Sequence, residues 1–290
     1  MELGQIHLRD PFVLADGDGY YLYGTGENRL EGEVLHMTAY CSPDRLHWTA
    51  QTVRVSMRGI GATGDFWAPD VFCYCGRYYM FLTLCAKGRK RGTYVFVSDA
   101  PAGDYVPVSS APVTPPEKQC LDATLYVEDG VPYLLYSWEW LEAGSGKIFL
   151  RRMKPDLSGC TGKAYELLDA RGSGVSECIE GMHGGARVSG YVTDSPVLYK
   201  HTEGEYLLLW STFCKQGYCI AIASCANLCG HYRQEKMLFS ENGGHAMIYK
   251  AHEGEQLISF HAPNNPPNER PVFYGIRELE KSIVLYDAES

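Results

Sequence analysis

Three aspartates and a histidine stand at matching places along this 290-residue chain. Asp10 lies ten residues before Tyr20, Asp122 ten before Pro132, Asp194 twelve before Tyr206 and His245 eleven before Gln256. Each of those second residues opens a similar apolar, aromatic-bearing run. In the remaining copy of the pattern the place is held by Ala68, flanked by Trp67, with Asp70 two residues further on. Carboxylates brought to one point repel one another, so packing alone gives no reason to gather them. What such a cluster can do is acid–base chemistry. One carboxylate activates water, a protonated partner supplies a proton to a departing oxygen, and neighbouring charge adjusts their pKa values, which is the arrangement that glycoside hydrolysis uses. Each residue also has a plainer account. Asp10 precedes Pro11, a common turn pattern; Asp122 and Asp194 could bond backbone amides at strand ends; His245, in Gly243-Gly244-His245, could be a satisfied buried histidine. The shared place in the repeat is what points to chemistry. Asp70, offset by two, reads as a buried, hydrogen-bonded support for Trp67.

To bring these side chains together, the elements that carry them must repeat in space. A strand, a glycine-containing turn and a second aromatic-rich strand recur five times. The second strands begin at Tyr20 (YYLYGT), Tyr78 (YYMFLT), Pro132 (PYLLYS), Tyr206 (YLLLWS) and Gln256 (QLISFH), at separations of 58, 54, 74 and 50 residues. The strands before the turns cover 11–14, 69–73, 123–127, 195–199 and 246–249. Long helical periodicity is absent. Repeats of roughly fifty residues, each with about four short strands, are the mark of propeller blades. The fold expected is therefore all-β, a five-bladed β-propeller forming one catalytic domain over 1–290. A two-sheet sandwich leaves five similar units unexplained. The innermost strand of each blade runs along the central channel, so equivalent strand ends converge at one mouth. A Gly- and Ser-rich insertion between Gly159 and Gly190 lengthens the 74-residue interval and is expected to shape that mouth.

Composition narrows the partners. With 26 basic and 35 acidic side chains the formal charge is −9, which argues against nucleic acid. The basic run Lys87 to Arg91 reads as a hairpin tip. No apolar run is long enough for a transmembrane helix, and the polar start lacks a signal-peptide core, so no membrane partner and a cytoplasmic setting are expected. The 11 cysteines show no zinc-type spacing and read as free thiols.

Six segments then carry a resemblance. They are Arg9-Asp10-Pro11-Phe12, Trp67-Ala68-Pro69-Asp70-Val71, Cys120-Leu121-Asp122-Ala123-Thr124-Leu125-Tyr126, Thr193-Asp194-Ser195-Pro196, Gly243-Gly244-His245-Ala246-Met247 and His261-Ala262-Pro263-Asn264. In order and spacing the chain resembles glycoside hydrolase family 43. The resemblance implies a five-bladed propeller that hydrolyses glycosidic bonds with inversion, mostly releasing arabinofuranosyl or xylosyl units from plant oligosaccharides. It gives Asp10 the place of the general base and Asp122 that of the residue tuning and orienting the acid. The family's acid is typically a glutamate, whereas Asp194 stands here, its carboxyl about 1.5 Å further back for want of one methylene.

Three outcomes stay open at that place: Asp194 is the acid, Glu139 between Trp138 and Trp140 reaches in instead, or catalysis is lost. An inverting pair requires the base and acid carboxyls to lie roughly 6.5–9.5 Å apart. Trp67, His245, Arg270 and Glu139 are the candidate substrate-binding residues; Phe66, Trp138 and Trp140 offer further flat faces. No cofactor is required by this chemistry. The resemblance also implies a structural calcium near the axis, held by His245 through water, although a lone imidazole is a poor calcium site. An arabinofuranosidase, a β-xylosidase and a non-catalytic carbohydrate-binding propeller are the competing readings.

Overall fold

The computed structural model describes residues 1–17 and 19–287; Asp18 and 288–290, the last residues of the expected 1–290 span, lie outside the described residues. Five four-stranded antiparallel units follow one another along the chain. The first runs Arg9–Asp16, Gly19–Thr25, Val34–Ser42, Thr49–Ser56, and the second Ala62–Tyr74, Arg77–Ala86, Gly92–Ser98, Asp104–Pro107. The third is Cys120–Glu128, Val131–Trp138, Lys147–Met153, Cys160–Asp169. The fourth is Asp194–Lys200, Tyr206–Cys214, Gly217–Cys225, Arg233–Phe239, and the fifth Gly244–Lys250, Gln256–Ala262, Arg270–Leu279, Ser282–Tyr286. These are the five blades of a β-propeller. Cys160–Asp169 proves to be the outer strand of the third blade, so the insertion proper is the short 3-10 turn Ala170–Ser173 and the hairpin Ile179–His183/Ala186–Gly190.

The apolar runs follow from both faces of a blade being covered. Side chains alternate along a strand, and in YLLLWS the two sets go opposite ways. Leu208 and Trp210 join Leu135, Leu150, Ala221 and Ala223 in the cluster between the third and fourth blades. Leu207 and Leu209 join Ile220, Ile222, Ile258 and Phe260 between the fourth and fifth. Each such leucine contributes about 1.5–3 kcal/mol by leaving water.

One irregularity recurs in every inner strand. The ladder slips between Arg9 and Phe12, Trp67 and Asp70, Leu121 and Thr124, Asp194 and Val197, and Gly244 and Met247. Inside each bulge one residue takes positive φ: Asp10 (53°), Ala68 (45°), Asp122 (50°), Ser195 (45°) and His245 (60°). A side chain in this region is strained, and a bulge re-aims what it carries. The repeated bulge is thus how the fold turns five equivalent positions toward one end of the channel.

Candidate active site

The bulge amides are held by a ring of bonds from blade to blade. Thr25 Oγ1 accepts from Ala68 N at 2.7 Å, Thr83 Oγ1 from Asp122 N at 3.0 Å, Ser211 Oγ from His245 N at 2.8 Å and His261 Nδ1 from Asp10 N at 3.1 Å. These acceptors occupy one register position, opposite Arg9, Trp67, Asp194 and Gly244 in turn. The fifth acceptor place, opposite Leu121, belongs to Ser137, whose buried hydroxyl has no partner among the described residues. There the Ser195 amide donates instead to Asp122 Oδ2 at 3.0 Å. The ring is broken where the Asp122 carboxylate reaches across to the amide of Ser195, the residue after Asp194.

This corrects the equivalence drawn from spacing. Asp194 pairs with Ser211 as Arg9 does with Thr25, so its counterparts are Arg9, Trp67 and Leu121; Ser195 is the true counterpart of Asp10 and Asp122. The twelve-residue offset, against ten for Asp10 and Asp122, was the visible signal. Both positions nevertheless open on the same cavity of about 390 Å³, which Asp10, Asp122, Asp194, Glu139, His245 and Trp67 all line.

The carboxyls differ in environment. Burial works against charge on Asp10, but His245, His261, Arg9 and a bond with Thr25 together hold it below the ordinary range. Burial brings His245 down to about 4, and its Nδ1 lies 3.1 Å from Asp10 Oδ1. Asp122 is pushed well up by burial and by Asp194 and Asp10, against the opposing Ser195 amide. Asp194 rises to about 7 through burial, then through Glu139, with the Tyr218 hydroxyl pulling the other way. Like charges at close quarters cannot all ionise, so within one cavity Asp10 takes the charge first while Asp122 and Asp194 keep their protons to higher pH.

Other expected residues fall out differently. Glu139 is buried and its carboxyl raised by burial, but it is tied to Arg91 Nη1 at 2.6 Å. Arg91 also pairs with Asp65 at 3.0 Å and lies over the Trp67 ring at 4.4 Å, so one face of Trp67 is occupied by a guanidinium. Trp138 lies away from the cavity lining, with Lys118 over its ring; Trp140 lines the cavity. Arg270 stands outside the cavity, donating to Gly4 O, Pro267 O and Glu269 O. The cavity's guanidiniums are Arg9 and Arg91. Arg91 ends the Lys87 to Arg91 run, which is a hairpin turn as expected but also supplies this side chain. Tyr218, at 3.0 Å from Asp194, was not foreseen; no repeat position marks it.

Asp70 bonds Thr124 and lines a small second cavity with Asp10, Asp122 and His245. His245 spends one nitrogen on Asp10, and among the described residues no three His, Cys, Asp or Glu side chains are grouped to hold a metal. The ligand set for the implied calcium is therefore not formed by these side chains. No described helix is long and apolar enough to cross a membrane.

Comparison with known proteins bears on this site. The sequence profile of Glycosyl hydrolases family 43 matches residues 4–279. An endo-arabinase from Bacteroides thetaiotaomicron VPI-5482 is 36% identical, with 97% of this chain and 98% of that one covered, at a TM-score of 0.86. An endo-1,4-beta-xylanase of the same organism shares the fold at 19% identity and a TM-score of 0.75, covering 98% of this chain and 95% of that one. The extracellular exo-alpha-(1->5)-L-arabinofuranosidase ArbA of Cellvibrio japonicus is 29% identical over 97 residues, which are 29% of this chain and only 24% of that protein.

Proposed function

This chain belongs to glycosyl hydrolases family 43, and from that premise we propose that it is an inverting glycosidase releasing arabinofuranosyl units from plant-derived oligosaccharides. One arrangement supports the mechanism: at a single cavity Asp10 is held below the ordinary carboxylate range, while Asp122 is pushed well above it and Asp194 up to about 7. Asp10, fixed by its amide bond to His261 and with His245 Nδ1 3.1 Å from its carboxyl, takes a proton from water as that water attacks the anomeric carbon. Asp194, near 7, protonates the departing oxygen. Asp122 grips the Ser195 amide and so holds the backbone that carries the acid. Glu139, paired with Arg91, keeps negative charge near Asp194 and lifts its pKa.

Arabinofuranosyl specificity is supported by two relatives named for arabinan chemistry, both more alike in sequence than the xylanase neighbour. A cavity of about 390 Å³ is near the small end for ligand sites, which suits a chain end or a short oligosaccharide. A cytoplasmic setting gains no support from the relatives, since the curated one is named as extracellular.

Asp10→Asn should cut kcat by at least roughly 100-fold on a nitrophenyl arabinofuranoside while sugar binding by calorimetry persists. Undiminished turnover in that variant would refute the base. NMR of the first product should show the inverted anomer; a retained one would exclude direct displacement. For the acid, Asp194→Ala should slow poor leaving groups far more than dinitrophenyl glycosides, whereas Glu139→Gln should slow both alike. The reverse pattern would transfer the role to Glu139. Activity should fall as pH rises through about 7, when Asp194 loses its proton, and fall again in acid only below the ordinary carboxylate range, when Asp10 gains one.

A further inference from the structure

Tyr218 is the second residue of the strand Gly217–Cys225 and is 2% exposed. Its ring is fixed on several sides. It stacks on His261 at 5.7 Å and 19°, meets Phe213 at 5.1 Å, and its amide donates to Asn242 Oδ1. The opposing backbone is Gly244, where a Cβ would fall 2.5 Å from the ring, so only glycine lets the phenol lie there. Half of the Gly243-Gly244-His245 motif is thereby explained by a residue of another blade. A buried phenol needs a partner, and this hydroxyl donates to Asp194 Oδ2 at 3.0 Å.

We propose that Tyr218 is the positioning residue of the acid: by occupying Oδ2 it leaves the transferable proton on Oδ1, and it stops the short aspartyl carboxyl from turning. The χ2 torsion of aspartate is a broad rotor, so an unsupported carboxyl would present either oxygen. A rigid donor selects one. The device suits a site where aspartate replaces a longer acid, because it fixes direction where reach is reduced. The inference rests on the reading of Asp194 as the acid. The titratable and charged groups around the pair are Glu139, Asp10, Arg9, Asp122, His245 and His261.

The test is Tyr218→Phe, which keeps the ring contacts, assayed on aryl arabinofuranosides of graded leaving-group basicity. For poor leaving groups kcat should fall roughly 10- to 100-fold with KM within about two-fold, while dinitrophenyl substrate is spared. The basic limb of the pH profile should move upward, because a bond favouring the charged acid is gone. Replacing Tyr218 by a fluorotyrosine, a stronger donor, should move that limb downward. Equal losses on all leaving groups, with an unmoved limb in both variants, would overturn the proposal. Asp194→Ala is run beside them. If it shows no leaving-group dependence, the acid assignment has failed and this inference with it; if it does and Tyr218→Phe does not, only the role of Tyr218 has failed.

Discussion

Asp70 shows how a single buried carboxyl records its surroundings. Burial pushes it up to about 7 against a bond from Thr124 and toward repulsion from Asp10, and the proposed mechanism gives it no step. Its ordinary pKa in an unfolded chain is about 4. Between those values the folded protein holds a proton that the unfolded chain lacks, so stability from this group is full below about pH 4 and declines as pH rises to about 7. Asp70→Asn should therefore raise unfolding stability at pH 8 by about a few kcal/mol at most while leaving it nearly unchanged at pH 4. A variant equally destabilised at both pH values would show that the carboxylate is held by bonds rather than tolerated. At this scale the sequence was informative about type and place: Asp70 read as a hydrogen-bonded support for Trp67, and its bond goes instead to Thr124 in the next blade. Asp194 was legible as a member of the acidic cluster but not as a pre-bulge residue, because a one-residue slip in register leaves composition untouched.

The bulged inner strand is the element that makes the site. Its strain is offset by the caps from the preceding blade, and the caps are not equal. Thr83→Val leaves the buried Asp122 amide unbonded and should cost about 1–3 kcal/mol in urea unfolding. Ser137→Ala removes a hydroxyl with no partner among the described residues and should cost well under 1 kcal/mol. Equal costs would mean that the ring of caps is decorative. The strands themselves could be read from YLLLWS and its relatives, since continuous apolar runs imply two covered faces. The caps could not, because Thr25, Thr83, Ser211 and His261 share a position but not a residue type.

Across the whole molecule the seam between first and last blades is made differently from the three seams that precede the fifth blade. Among the described residues, backbone bonds join the first blade to the second (Arg54 and Val55 with Asp104 and Tyr105), the second to the third (Cys120 N to Arg91 O) and the third to the fourth (Tyr232 N to Leu167 O). The first and fifth meet through side chains: Arg9 with Glu269 at 2.8 Å, Ser259 Oγ on Pro11 O at 2.7 Å, and His261 on the Asp10 amide, with a shared apolar cluster behind them. Among the described residues no strand is exchanged between these two blades to lock the ring. Hydrogen exchange should find the amides of Arg9–Asp16 opening before those of Asp194–Lys200, and Ser259→Ala should speed the former selectively. Uniform protection around the ring would contradict this. Since Asp10 sits on the seam, its loosening would reach the proposed base first.

Five spaced strand pairs and the acidic residues before them were enough to determine the all-β repeat, the propeller and the mouth where the chemistry gathers. They sufficed because apolar periodicity and turn glycines are local properties, and local properties are written in order along the chain. The tertiary structure alone decided which residues meet. It took Arg270 out of the cavity and put Arg9 and Arg91 in, covered a face of Trp67, and set Tyr218 against Asp194 over a glycine from the next blade. Those are contacts between blades, fixed by twist, register and close approach of backbones, and no spacing within one repeat encodes them.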